Sequence, residues 1–285
     1  MTLIKPVSVR TFEALHKRMT FDYHQQKRFE NSQLGWQGES QFSARLSQQS
    51  FPHLVIYDSE FKEGLSPQLD FIVIGSAAIY LYDVKHWQGN YHYTDGSFTH
   101  QNRHIDSPLT QLNRAYDTLS KLTHHMPVKL PIIKQLVFTN PSFTLYGNQP
   151  ELPIVLVNQL DNHFKTVERT AQTLSDYHYD LYNIIQNRKV VKITYDTEIA
   201  YNYQDLQKGM WCKSCFNQKM CAGRRHYYCP SCHSYELKSS ALERSLKDFH
   251  LLFPKQEIGA HQLIDWSGGQ VGRFVSREII KKQPI

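Results

Sequence analysis

From Leu69 to Lys85 the chain runs through two mostly apolar stretches, Leu69-Asp70-Phe71-Ile72-Val73-Ile74 and Ala77 to Lys85, separated by Gly75-Ser76. Stretches of that length, rich in β-branched and aromatic residues and broken by a glycine turn, predict a β-hairpin. Upstream, residues 11–31 are polar and helix-favouring, with Thr11 placed as an N-cap. Gly35-Trp36-Gln37-Gly38-Glu39-Ser40 then leads into a helix through about Gln49, whose Phe42 and Leu46 share one face at i, i+4 spacing. A short strand is expected at Leu54 to Tyr57, and a polar hairpin or loop over 90–106. Ser107-Pro108 starts a helix to about His124, with proline at its first position and Leu109, Leu112, Ala115 and Leu119 as its stripe. The apolar runs Ile132 to Phe138 and Ile154 to Val157 suit buried strands. A polar helix from about Asp161 to Gln186 and a strand at Val190 to Tyr195 follow.

The pattern changes after Asp205. A cysteine-containing module runs from about Lys208 to Leu237, and Ser240 to Leu252 reads as an amphipathic helix ending at Phe253-Pro254. His261 to Trp266 and Gly272 to Lys282 form two short helices around Ser267-Gly268-Gly269, a spacing shared by helix-turn-helix elements and by plain helical hairpins. The pattern predicts domains at 1–204, 205–238 and 239–285. Of the net charge of +6, all falls after residue 204, where 13 Lys and Arg face 7 Asp and Glu. That is where a grip on nucleic acid is expected. No apolar run approaches the roughly 18 residues of a membrane span. The N-terminal residues lack an apolar core of signal-peptide length, so the expected location is cytoplasmic, with no membrane partner.

The hairpin carries candidate chemistry. Asp70 lies on its first strand and Asp83 on its second, so both carboxylates can approach one divalent cation. Lys85 follows Asp83 by two positions and projects from the same face of the strand. Phosphodiester hydrolysis calls for in-line water, charge relief at phosphorus and help for the leaving oxygen, which carboxylate-bound Mg²⁺ and a lysine can provide. An acid-x-lysine triplet alone is ordinarily a surface ion pair. Here it ends an apolar strand, follows a second acid across a turn, and has a carboxylate on a helix upstream.

The five cysteines cluster instead of spreading along the chain. Cys212-x-x-Cys215 and Cys229-x-x-Cys232 place two thiols on each of two tight turns, the spacing of a tetrahedral four-thiolate Zn²⁺ site. Four thiolates leave no open position, so this zinc is structural. Cys221 is the spare, and His226 and His233, alternative ligands by residue type, read as surface residues. Lys213, Lys219, Arg224, Arg225, Tyr227 and Tyr228 decorate the module, a mixture suited to phosphate contact and base stacking or to protein contact. Arg273, Arg277, Lys281 and Lys282 add a basic face to the last helix.

Gly38-Glu39, Gln68-Leu69-Asp70, Asp83-Val84-Lys85, Trp87-x-Gly89, Ser107-Pro108-Leu109 and Gln111 follow one another as in the nuclease-related (NERD) domain. The chain resembles that family of the PD-(D/E)xK restriction-endonuclease-like superfamily over about residues 30–160. The resemblance implies an α/β fold with a mixed sheet flanked by helices, here joined by a small zinc ribbon and a helical C-terminal tail. It implies Asp70 and Asp83 as ligands of Mg²⁺ or Mn²⁺, and Lys85 as the residue that orients or activates water. Glu39 would add a carboxylate from the first helix, and Gln111 would face the site. The family's lysine motif usually begins with Glu, so Asp83 shortens the carboxylate's reach by one methylene. The expected function is a metal-dependent nuclease, acting on DNA, whose tail binds nucleic acid. A catalytically inactive DNA-binding or regulatory protein, and a nuclease recruited by a protein partner through its tail, are the rivals. Homodimer formation is left open.

Overall fold

The computed structural model describes residues 3–62, 68–126, 129–147, 149–190, 199–215 and 219–281. The strand expected at Val190 to Tyr195 and the basic residue Lys282 therefore lie largely or wholly outside the described residues. In chain order the elements are α1 (Val7–His16), α2 (Tyr23–Ser47), β1 (Leu54–Ser59), β2 (Leu69–Ile74), β3 (Ile79–Lys85), β4 (Gly89–Thr94), β5 (Ser97–His100), β6 (Arg103–Ile105) and α3 (Pro108–Thr123). There follow β7 (Ile132–Phe138), β8 (Phe143–Tyr146), β9 (Ile154–Leu156), α4 (Leu160–Arg169) and α5 (Asp176–Arg188). The C-terminal elements are β10 (Cys221–Ala222), β11 (His226–Tyr228), β12 (Tyr235–Leu237), α6 (Lys238–Leu252), α7 (Ala260–Trp266) and α8 (Arg273–Lys281).

The chain divides into two compact units, Met1–Ile4 with Gln33–Val191, and Lys5–Ser32 with Lys192–Ile285. The sequence pattern places a boundary near residue 204 and leaves the N-terminal helix with the nuclease-like part. The structure groups that helix otherwise for a physical reason: Phe12, Ala14 and Leu15 of α1 share a buried cluster with Leu246, Phe249 and Leu252 of α6 and Trp266 of α7.

The first unit is built on a mixed five-stranded sheet in the order β1-β2-β3-β7-β9. β1, β2 and β3 are antiparallel neighbours, whereas β7 runs parallel to β3 and to β9. β3 lies in the middle and is buried along Ile79 to Val84. Being covered on both faces, it carries a continuous apolar run rather than alternation. On one face Ile72, Ile74, Ile79 and Leu81 pack with Leu112 and Leu119 of α3 and Leu181 and Ile185 of α5. On the other, Phe71, Val73, Tyr80 and Tyr82 pack with Phe42 and Leu46 of α2 and Phe164 of α4. The architecture is the α/β class expected, a mixed sheet flanked by helices.

β4, β5, β6 and β8 form a second sheet in the order β6-β5-β4-β8; the sequence pattern predicts a hairpin or loop over 90–106 and does not mark β8. Trp87 stacks on Tyr91 at 5.0 Å between centroids and lies against Phe98 and Phe143, so its work is packing. Gly89 has φ +99 and donates its N–H to Ser142 O at 2.9 Å, a backbone conformation that favours glycine. The helix expected over 161–186 is two helices. Ser175 starts the second with a reciprocal cap to His178, whose Nε2 lies 3.1 Å from Ser76 O in the β2–β3 turn.

In the second unit, the buried Arg18 guanidinium lies 3.5 Å from the centre of the Trp266 ring and donates to Gln207 O at 2.9 Å. A three-stranded sheet, β10-β11-β12, forms the small ribbon. Met210, Met220 and Tyr227 of this region pack on Ala241 and Leu242 of α6, so the ribbon shares a core with the C-terminal helices. The connection between α7 and α8 spans Ser267 to Gly272, longer than the turn of about three or four residues in a helix-turn-helix.

Candidate active site and cysteine cluster

The β2–β3 ladder ends at Phe71 opposite Tyr82, so Asp70 and Asp83 leave their strands side by side. Asp70 Oδ2 accepts the Val84 N–H at 2.7 Å, which pins this carboxylate across the open end of the hairpin. Asp83 Oδ1 lies 2.5 Å from Lys85 Nζ, and the same ammonium donates to Gln111 Oε1 of α3 at 3.0 Å. The period-2 relation between Asp83 and Lys85 places both on one face. α3 crosses that face as the connection leading into β7, which is how residue 111 reaches a lysine 26 positions earlier.

Glu39 comes from α2, and the Tyr57 hydroxyl of β1 donates a short hydrogen bond to its Oε2. Gly38 explains how α2 gets close enough. A Cβ on Gly38 would sit 2.8 Å from His86 Cβ and 3.0 Å from Thr139 Oγ1. Those residues follow β3 and β7 directly, and His86 Nδ1 lies 2.9 Å from Thr139 Oγ1. Gly38 thus allows the helix to lie against the ends of both strands, and the next residue carries the carboxylate.

Electrostatics single out the same residues. Burial pushes Glu39 up to about 7; the Tyr57 hydrogen bond and Lys85 oppose this, while Asp58 and Asp83 add to it. Burial, then Asp83, hold Asp70 well above the ordinary carboxylate range. Asp83 is raised by burial against the pull of Lys85. For Lys85, burial works downwards but is outweighed by Asp83, Asp70 and Glu39, which raise it. Buried carboxylates that repel one another beside a single lysine make an environment that favours a cation.

Two participants, Tyr57 and Asp58, were not singled out by sequence reasoning. Tyr57, on an edge strand next to Glu39, gives no signal in the chain alone. Asp58 adopts φ 49 within β1, and Gln68 Nε2 donates to its Oδ1 at 2.5 Å. The left-handed geometry at a non-glycine residue is invisible to strand periodicity, although Gln68 stands in the motif that precedes Asp70.

The four expected cysteines meet. The Sγ atoms of Cys212, Cys215, Cys229 and Cys232 all lie within 4.8 Å of one another. Cys212 and Cys232 are 3.6 Å apart, as are Cys215 and Cys229. Tetrahedral thiolates at Zn–S of about 2.3 Å would be separated by about 3.8 Å, so the donor set fits zinc closely. The second turn is shaped by Cys229 N–H donating to Ser234 O at 2.9 Å and by His233 at φ 57. Burial would raise the Cys212 thiol, yet the Ser234 hydroxyl and the backbone N–H groups of Cys215 and Ser214 outweigh it and bring it down to about 6. Cys221, His226 and His233 are outside this group, which among the described residues is the one such cluster of three or more ligand atoms.

The basic residues expected to contact nucleic acid are exposed where described: Lys213, Lys219, Arg224, Arg225, Arg273, Arg277 and Lys281. On α8, Arg273, Arg277 and Lys281 recur at i+4 spacing beside Phe274, which is 77% exposed. Among the described residues no helix is long and apolar enough to cross a membrane. Comparison with curated proteins and with solved structures gives no match. A protein-family model described as the nuclease-related domain matches residues 34–139, the stretch that contains Glu39, Asp70, Asp83, Lys85 and Gln111. Residues 34–139 thus match a nuclease-related (NERD) domain, and a cysteine cluster able to hold a zinc ion follows them in the chain.

Proposed function

We propose that the protein is a divalent-metal-dependent nuclease that hydrolyses phosphodiester bonds of DNA, with a structural zinc ion and a C-terminal unit that binds nucleic acid. The observation that carries this reading is the convergence of Asp70, Asp83, Lys85 and Gln111, with Glu39 added by α2, inside the nuclease-related domain. Asp70 and Asp83 would hold Mg²⁺ or Mn²⁺. Such ions take one or two carboxylates and fill their remaining positions with water and phosphate oxygen. When bound, the ion supplies charge relief at phosphorus and makes water more acidic.

The chain's own residues do the rest. The Val84 N–H fixes the Asp70 carboxylate, and Gln111 holds the Lys85 ammonium on the same face as Asp83. From there Lys85 orients water and balances charge that grows on phosphate oxygens. Glu39, which burial holds at about 7 in the metal-free chain, adds a further carboxylate to this site from α2. The basic, exposed face of α8 and the surplus after residue 204 support a grip on the phosphate backbone.

A second reading has one observation in its favour. Asp83 is shorter than the glutamate usual in the family and is engaged by Lys85 at 2.5 Å, which suits a DNA-binding protein built on an inactive core. The test is conversion of supercoiled plasmid by the purified full chain. Nicking that requires Mg²⁺ or Mn²⁺ supports the nuclease. DNA binding with no cleavage in either ion selects the inactive core.

A further inference from the structure

The ribbon presents a partly exposed aromatic face. Residues opposite one another on antiparallel strands point to the same side, and here His226 pairs with Leu237, Tyr227 with Glu236, and Tyr228 with Tyr235. The middle pair, Tyr227 and Glu236, is turned inward and buried. The outer pairs face solvent, with Tyr235 66% and Leu237 53% exposed. The Tyr228 and Tyr235 rings lie 5.6 Å apart between centroids with planes 39° apart, forming one tilted platform. Next to it, Gly223 N–H donates to His226 O at 2.8 Å and closes a hairpin whose tip is Arg224-Arg225. Gly223, Arg224, Arg225, His226, Tyr228 and Tyr235 line an open groove of ≈ 530 Å³.

The inward turn of Tyr227 separates two residues that sequence reasoning had grouped. One tyrosine belongs to the core and the other to the surface. Among the described residues no acidic side chain lines the groove: the nearest in sequence, Glu236, is buried and paired with Arg244 at 2.6 Å. Two neighbouring, tilted rings bordered by two guanidinium groups complement a chain that offers both flat bases and phosphates. A duplex hides its base faces, whereas a single strand exposes them.

We propose that this face of the ribbon binds single-stranded nucleic acid, with bases stacked on Tyr228 and Tyr235 and the phosphate backbone held by Arg224 and Arg225. The inference deepens the proposed function and rests on the C-terminal unit being a nucleic-acid-binding element. It assigns that unit two surfaces, an aromatic one for single strands on the ribbon and a basic one on α8.

The test is fluorescence anisotropy of a labelled single-stranded oligonucleotide and of a duplex of equal length, with the full chain and no added Mg²⁺ or Mn²⁺. Tyr235→Ala is expected to weaken single-strand binding about 5-fold or more and to leave duplex binding unchanged. Zinc bound per chain, expected to be equal in Tyr235→Ala and the wild type, controls for folding of the ribbon. Arg224→Ala with Arg225→Ala should reduce the salt slope on the single strand by about 1.4. Equal single-strand binding by Tyr235→Ala and wild type overturns the inference. If Arg273→Ala and Arg277→Ala still weaken duplex binding in that case, the inference falls while the proposed function stands. Absence of binding to either nucleic acid overturns both the inference and the DNA-binding part of the proposed function.

Discussion

Gly35 and Gly38 occupy the same helix, and the structure predicts opposite outcomes for replacing each with alanine. Relative to glycine, alanine in a helix interior gains about 1 kcal/mol from reduced backbone freedom in the unfolded chain. At Gly35 an added Cβ meets nothing within 4 Å, so Gly35→Ala should collect up to that gain. At Gly38 the methyl would lie 2.8 Å from His86 Cβ and 3.0 Å from Thr139 Oγ1. Neither is the far end of a flexible chain. Making room means pushing α2 off the ends of β3 and β7, and overpacking of this kind costs typically about 1–3 kcal/mol. Set against the helix gain, Gly38→Ala should be destabilising by up to about 2 kcal/mol. For a unit of this size that is a fall of roughly 4–8 °C in melting temperature. Cleavage should fall as well, because Glu39 rides on the displaced turn. Scanning calorimetry of the two variants and the wild type reads the sign directly. A Gly38→Ala protein that melts above the wild type, as Gly35→Ala should, refutes the argument that close approach fixes this residue.

Other predictions concern protons, zinc and salt. Glu39 is held at about 7 against a usual value of 4.5, so the folded chain keeps a proton that the unfolded chain gives up from about pH 4.5. Its contribution to stability therefore declines between pH 4.5 and 7 and stays low above that. Glu39→Gln should match the wild type near pH 4 and exceed it by up to about 3 kcal/mol above pH 7; urea titrations with no added Mg²⁺ that give a flat difference across this range would refute the assignment. The difference curve is needed because burial holds His163 down to about 4, which lowers stability in the opposite direction, as pH falls. Cys212→Ser should abolish the binding of about one zinc per chain while Cys221→Ser retains it, read by metal analysis of the purified proteins; equal zinc in both contradicts the four-thiolate site. Arg273→Ala with Arg277→Ala should lower the slope of log affinity against log salt on duplex DNA by about 2, and an unchanged slope removes α8 from the interface. Deleting everything after residue 204 would strip α1 of the partners of Phe12 and Leu15.

The hairpin and the placement of its polar residues were readable because strand period and apolar runs are local signals. Leu69 to Lys85 fixes its own register, and with it the positions of Asp70, Asp83 and Lys85. The cysteines were readable for a similar reason, since two tight turns bring each pair together. What escaped depends on distant packing. The break at 17–22, which separates α1 from α2, leaves no glycine or proline in the sequence there. The role of Gly38 lies in two residues far along the chain, and Tyr57 meets Glu39 only once β1 is laid on the sheet. The exchange of α1 into the C-terminal unit is a long-range choice among apolar faces, and periodicity reports that a helix has such a face without naming its partner.

The central claim is that Asp70, Asp83 and Lys85 form a metal-dependent phosphodiesterase centre. The most direct test compares nicking of supercoiled plasmid by the wild type, Asp70→Ala and Lys85→Ala in Mg²⁺ and in Mn²⁺, with DNA binding measured on the same preparations. The account predicts metal-dependent nicking by the wild type and its loss in both variants, with DNA binding and zinc content retained. Nicking that persists in Asp70→Ala and Lys85→Ala at the wild-type rate would contradict it.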